Sequence, residues 1–397
     1  MKILLQKHIN FFGYAVDSIF RFKTRTAAII FSLLVALTIL GAVAFISDGL
    51  EREAEISTLF APDITVQILQ AGRQIPVQMS FVKNITDIQG TEKVVPRVWG
   101  YIYQNNKMYT VMGIDVANMP IPHEEIGFTI TSGRFLQPKD NSSAIVGSYF
   151  ADFFGIETND TLILQNDSKQ TFNYTIVGIF SMKINLYTSD LILMPIQDAR
   201  EFFTISPEEA TDLCVYTTRN AQPRTVATLI TEKIPNARVL TRTALRDALA
   251  TAYGARSGFV STIWYILLLA VIMVAWNQAS AVSSESKREV GILKSLGFST
   301  IDILEIRLME SLILGFVSAS IGVFLAIIYD LYLGAPIIKD FMLGWASVYP
   351  TFPLPIYVQL TSVSILYAIA LFPLLVGSLV PAWKSAITEP DIAMRGA

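Results

Sequence analysis

Four stretches of this chain contain no Asp, Glu, Lys or Arg and are long enough to cross a bilayer as helices: residues 27–47, 258–281, 311–329 and 360–383. Roughly 20 apolar residues span the hydrocarbon core, and a backbone in lipid must satisfy its own hydrogen bonds, so each stretch is confined to a helix. The composition agrees, with 52% hydrophobic and only 16% charged residues, well off the balance of an average soluble domain. The first stretch is too long for a signal-peptide core and has no small-residue cleavage site after it, so it is expected to remain as an anchor.

The loops set the expected topology. Residues 1–26 carry Lys2, Lys7, Arg21, Lys23 and Arg25 against one acid, Asp17, which places them in the cytoplasm by the positive-inside rule. Leu5, Ile9, Phe12, Val16 and Ile19 recur at helical spacing there, as in a helix lying in the membrane interface. Four spans then put residues 48–257 outside, 282–310 inside, 330–359 outside and the tail 384–397 inside. The expected architecture is an α-helical membrane protein with four transmembrane helices and a large mixed α+β extracytoplasmic domain inserted between helices 1 and 2. Within that domain, hairpins are read across Asn105-Asn106 and across 166–169. A strand–helix–strand unit is read over 212–241, and a stalk helix over 242–256.

A net charge of −3 gives no basis for nucleic-acid binding. Cys214 is the only cysteine and His8 and His123 are far apart, so neither a disulfide nor a His/Cys metal site is expected. The apolar stretches lack the nucleophile–base or charged groups of an intramembrane enzyme. Five Asn-x-Ser/Thr triplets, at Asn84, Asn141, Asn159, Asn166 and Asn173, all fall in the outer domain.

The polar island between the second and third spans has the clearest grammar. Ser286 and Glu289 have capping-box spacing. Ile292, Leu293 and Leu296 make an apolar face, Lys294 suits a helix C-terminus, and Gly297 suits a left-handed cap. Ser299 and Asp302 repeat the capping spacing and open the next helix. In the third span, Gly315 and Ala319, and Ser318 and Gly322, stand four apart, the spacing at which small residues let helices approach closely.

The run Lys287-Arg288-Glu289-x-Gly291-Ile292-Leu293-Lys294-x-Leu296-Gly297 resembles the FtsX-like permease family of ABC transporters, in its MacB and LolC/LolE form. The outer-domain phrases GIDVANMP, TSGRFLQPKDNSSAIVGSYFADFFGI and YTIVGIF are similar to segments of that family's periplasmic core domain. The resemblance implies that these nine residues form a coupling helix docking on a separate cytoplasmic ABC ATPase dimer. It implies a second permease copy or paralogue, and an extracytoplasmic adaptor or lipoprotein as further partner. It implies no enzyme activity and no cofactor in this chain, with ATP and Mg on the ATPase. No Gly-x-x-x-x-Gly-Lys-Ser/Thr loop occurs in the sequence. The implied function is mechanotransmission: ATP-driven closure inside moves the outer domain to export or extract a lipoprotein, lipid, peptide or drug-like substrate. The alternative is regulation of an extracytoplasmic cell-wall hydrolase or ligand sensing.

Overall fold

A computed structural model describes residues 2–59, 61–104, 106–117, 128–182, 184, 190–253, 258–280, 284–339 and 354–387. The chain divides into two compact units, one centred on Leu50–Gly254 and one built from the chain on either side of it. The helices in order are α1 Lys2–Arg21, α2 Lys23–Leu59, α3 Ser80–Thr86, α4 Ser148–Phe154, α5 Ile196–Phe203, α6 Pro223–Lys233, α7 Arg242–Tyr253, α8 Gly258–Ser280, α9 Ser284–Ser295, α10 Thr300–Leu333 and α11 Leu360–Ile387. The strands are β1 Ile64–Gln70, β2 Arg73–Ile75, β3 Val77–Gln78, β4 Thr91–Gln104, β5 Lys107–Ile114, β6 Thr129–Gly133, β7 Ser143–Gly147, β8 Thr161–Gln165, β9 Thr171–Ser181, β10 Leu191–Pro195, β11 Glu209–Ala210, β12 Asp212–Thr217 and β13 Ala237–Thr241.

Among the described residues, three helices are long and apolar enough to cross a membrane: Lys23–Thr58, Thr300–Leu333 and Leu360–Gly377. A further helix is apolar over the shorter stretch Val260–Trp276. Their contacts explain the small residues of α10. A Cβ on Gly322 would lie 2.8 Å from Leu37 Cβ of α2, and one on Gly315 would lie 2.8 Å from Leu371 Cδ2 of α11. Ser318 and Ala319 are fully buried between them. Close backbone approach gives dispersion contact that lipid alone does not select for. The helices overrun the apolar stretches read from sequence. α10 begins in the polar island and ends beyond Asp330, which is 3% exposed.

The Leu50–Gly254 unit, the outer unit of the sequence expectation, is built on a mixed eleven-stranded sheet with the path β13-β1-β12-β4-β5-β10-β7-β9-β6, where β2 pairs with β1 and β8 with β9. The strand β4 joins its two halves. Thr91–Arg97 pair antiparallel with β12 and Val98–Gln104 with β5. One core packs Ile64, Val66, Leu213 and Val215 against Val226 and Ile230 of α6. The other packs Val98, Val111, Val146, Ile176 and Ile192 against Phe202 of α5. At the junction Asp212, fully buried, takes Nε and Nη2 of Arg97 at 2.9 and 2.7 Å and Nε1 of Trp99 at 2.8 Å. Both hairpins read from the sequence form, as does the strand–helix–strand unit, whose strands β12 and β13 flank β1. The stalk helix is described to Tyr253. Of the Asn-x-Ser/Thr triplets, Asn166 is 8% exposed and its amide donates to Gln170 Oε1 and the Phe202 carbonyl, so it is a turn residue rather than an open acceptor.

Asp190 gives this unit a pH signature. It is 8% exposed, accepts 2.8 Å from Thr110 Oγ1, and burial pushes its carboxyl up to about 6. Between the unfolded value near 4 and about 6 the native chain keeps a proton that the unfolded chain has lost, so stability falls as pH rises through that window. Asp190→Asn is expected to stabilise the outer unit by roughly 2–3 kcal/mol at pH 7 and to change nothing near pH 4. Thermal melts of both proteins across pH 4–7 test this; parallel curves would refute it.

Candidate functional site

The polar island forms a rigid handle between two apolar helices. α9 ends in a double-bonded cap: Gly297 N–H donates to Lys294 O at 2.9 Å and Phe298 N–H to Leu293 O at 3.1 Å, with Gly297 at φ +94. These are the two bonds of a Schellman motif, and the left-handed φ strains any residue with a Cβ. α10 starts at once with a complete capping box, in which Ser299 Oγ accepts from Asp302 N and Asp302 Oδ2 accepts from Ser299 N. The turn between α9 and α10 is therefore fixed from both sides.

The other expected capping box is absent. α9 already starts at Ser284, so Ser286 lies inside it. Glu289 turns to better donors instead. Its Oε1 accepts from Tyr14 Oη at 2.7 Å and Arg21 Nη1 at 3.2 Å of α1, and its Oε2 accepts from Arg307 Nη2 at 3.1 Å of α10. Arg307 Nη1 also donates to Glu310 Oε2 at 2.7 Å. A charge-assisted bond to the largely buried Arg307 guanidinium, together with the Tyr14 and Arg21 donors, outweighs a neutral amide at a helix end. Burial, with Glu289 as acceptor, pushes the Tyr14 phenol up to about 12, so it donates throughout the physiological range. Two more pairs tie α1 to α10, Lys7 with Asp302 at 2.6 Å and His8 with Glu305. Apolar contacts fill the space between them: Phe11, Ala15 and Ile306 pack with Phe298, which also covers Val290 and Ile303.

This packing splits the residues that the sequence placed on one face. Gly291 and Leu293 are buried and Glu289 is engaged within the chain. Ile292 is 47% exposed and Leu296 71%, joined by Ile301 at 74%. Lys294 is half-buried and Gly297 exposed. Lys287 and Arg288 fall on α9, and their side chains lie outside the described residues. What the handle presents is an apolar patch of Ile292, Leu296 and Ile301. Exposed apolar clusters mark protein or membrane contact surfaces. Leu293 turns inward, at 7% exposed, which the spacing of apolar residues in the island does not reveal. The tie to α1 was also missed; the only signal in the sequence was the pairing of acids in the island with bases in residues 1–26. Among the described residues no cluster of three or more His, Cys, Asp or Glu side chains is placed to hold a metal ion.

Together these features define a multi-helix membrane protein that carries a separately cored α/β unit and a fixed inter-helix handle. Residues 261–390 match the family model described as FtsX-like permease C-terminal. A curated relative is the lipoprotein-releasing system transmembrane protein LolC of Neisseria meningitidis serogroup B, 26% identical over 240 residues that cover 56% of this chain and 55% of the relative. The chain thus spans about half the length of the curated relative it matches. Solved structures similar to the chain include the periplasmic region of MacB from Actinobacillus actinomycetemcomitans, at TM-score 0.35 and 11% identity over 49% of this chain and 95% of that one. The extracellular domain of the noncanonic ABC-type transporter YknZ from Gram-positive bacteria matches at TM-score 0.33 and 13% identity, over 45% of this chain and 99% of that one.

Proposed function

We propose that this chain is a non-catalytic permease subunit that couples ATP hydrolysis by a partner ATPase to movement of its outer domain, for export or extraction of an amphiphilic substrate such as a lipoprotein. ATP and Mg belong to the ATPase. The carrying observation is the handle: an apolar patch of Ile292, Leu296 and Ile301 on a segment whose opposite side is bonded to α1 and α10. A surface that receives a push must be exposed, and must be stiff enough to pass it to the spans. The reading includes four spans with both ends in the cytoplasm, residues 48–257 outside, and two permease copies per complex. It is supported by the family of residues 261–390 and by the basic excess in residues 1–26.

The test is direct. Leu296→Glu puts a charge in the patch without touching a packed residue, so the permease is expected to stay folded and membrane-inserted while ATPase capture falls at least about tenfold, the loss of one buried apolar anchor. Gly297→Val forces a β-branched residue to φ +94 and is expected to loosen the cap by about 1–2 kcal/mol or more. Pull-down of the ATPase from native membranes and ATPase activity in nanodiscs read both variants. Undiminished capture and activity in Leu296→Glu would remove the handle as the docking surface.

A further inference from the structure

The helix α1 divides lengthwise into three faces. At about 100° per residue, Phe11, Ala15 and Ser18 share one face and are buried, in line with the pairs that Lys7, His8 and Tyr14 make to α9 and α10. A second face carries Ile9, Phe12 and Phe20, which are 54%, 53% and 65% exposed. The third carries Gln6, Asn10 and Asp17, all exposed. A helix with only a protein side and a water side needs no exposed apolar stripe between the two. Three faces require three surroundings.

The chain continues from α1 directly into a spanning helix. Phe22 N–H donates to Ser18 O at 3.1 Å, Thr26 N–H to Phe22 O at 2.9 Å and Thr26 Oγ1 to Ile19 O at 3.0 Å, so helical bonding carries across the one-residue break. Exposed apolar residues resume on α2 at Phe31, Val35 and Ile39, which are 67%, 41% and 38% exposed. The stripe thus leads into surface that faces lipid in a membrane-spanning helix. Lys23 follows the stripe at the start of α2, while Lys7 and Arg21 are paired with Asp302 and Glu289.

We propose that lipid contact at the Ile9, Phe12 and Phe20 stripe holds α1 as a strap across the α9–α10 handle. The strap acts through Lys7, His8, Tyr14 and Arg21, which bond to Asp302, Glu305 and Glu289. The surface is distinct from the Ile292, Leu296 and Ile301 patch, and the inference stands without the ATPase reading. Its consequence is that the lipid around α1 sets how firmly the handle is held.

The experiment uses the full chain in nanodiscs, in a Cys214→Ser background that removes the single native thiol. A fluorophore on Phe12→Cys is expected to be quenched several-fold more by nitroxide-bearing lipids than one on Asn10→Cys. Preferential quenching of the Phe12 probe by aqueous iodide, or by a second labelled copy, would overturn lipid insertion. In a second arm, Phe12→Glu is expected to speed amide exchange at Val290–Leu293 about tenfold, while Phe12→Leu and Asn10→Glu leave it unchanged. Unchanged exchange in Phe12→Glu would overturn the strap.

Discussion

Glu289→Ala should release the handle from the rest of the helical unit and abolish coupling while leaving the outer unit folded. The carboxylate joins α9 to both α1 and α10. Its side chain is 10% exposed and that of Arg307 15%. Removing one member of a buried pair leaves the other charge without its counter-ion, which typically costs about 3–5 kcal/mol; Glu310 retains part of the Arg307 pairing and brings the expected loss to about 3. The smaller partners rank below it. Tyr14→Phe removes one hydrogen bond, about 1 kcal/mol, and the Arg21 pair, half exposed, contributes less than about 1. Protection from hydrogen exchange over Val290–Leu293 and permease-stimulated ATP hydrolysis should fall in that order. Glu289→Ala with wild-type coupling would mean that the patch alone transmits.

The island shows why some of this was legible in the sequence. Caps are local: the Gly297 and Ser299/Asp302 signals need only the few residues that make the bonds, and both form. Glu289 failed as a cap because its destination is 275 residues away at Tyr14 and 18 away at Arg307, and local spacing carries no information on that. Leu293 and Ile292 are equally apolar neighbours, and only tertiary packing decides which turns inward. Gly315 and Gly322 were legible as small residues, but their different partners, α11 and α2, were not.

The outer unit shows the same division. Its hairpins follow from short polar turns between alternating strands. Its sheet order does not, because β4 changes partner in mid-strand at Arg97 and Val98, and no local pattern announces a strand that belongs to two cores. The β6 strand and the two-residue β3 and β11 went unread for a related reason, since their pairing is supplied by distant chain.

That mid-strand change is where the second large effect is expected. Asp212→Ala should unfold the joint of the outer unit. Asp212 is 0% exposed and accepts from Arg97 twice and from Trp99 Nε1, so its removal strands a guanidinium that is one-quarter exposed and an indole N–H together. A buried pair broken on one side loses about 3–5 kcal/mol, a large share of the roughly 5–15 that holds a domain. For a unit of this size that is a fall of roughly 10 °C in melting temperature. Replacing both partners by apolar residues, Arg97→Met with Asp212→Leu, should recover most of it, because the penalty lies in the unpaired charge rather than in the absence of the pair. The nearby Cys214 thiol, which burial pushes up to about 12, is the readout. Its alkylation at neutral pH should be negligible in the wild type and the double variant and rapid in Asp212→Ala. Slow alkylation and an unchanged melt in Asp212→Ala would show that backbone pairing of β4 with β12 is sufficient to hold the joint.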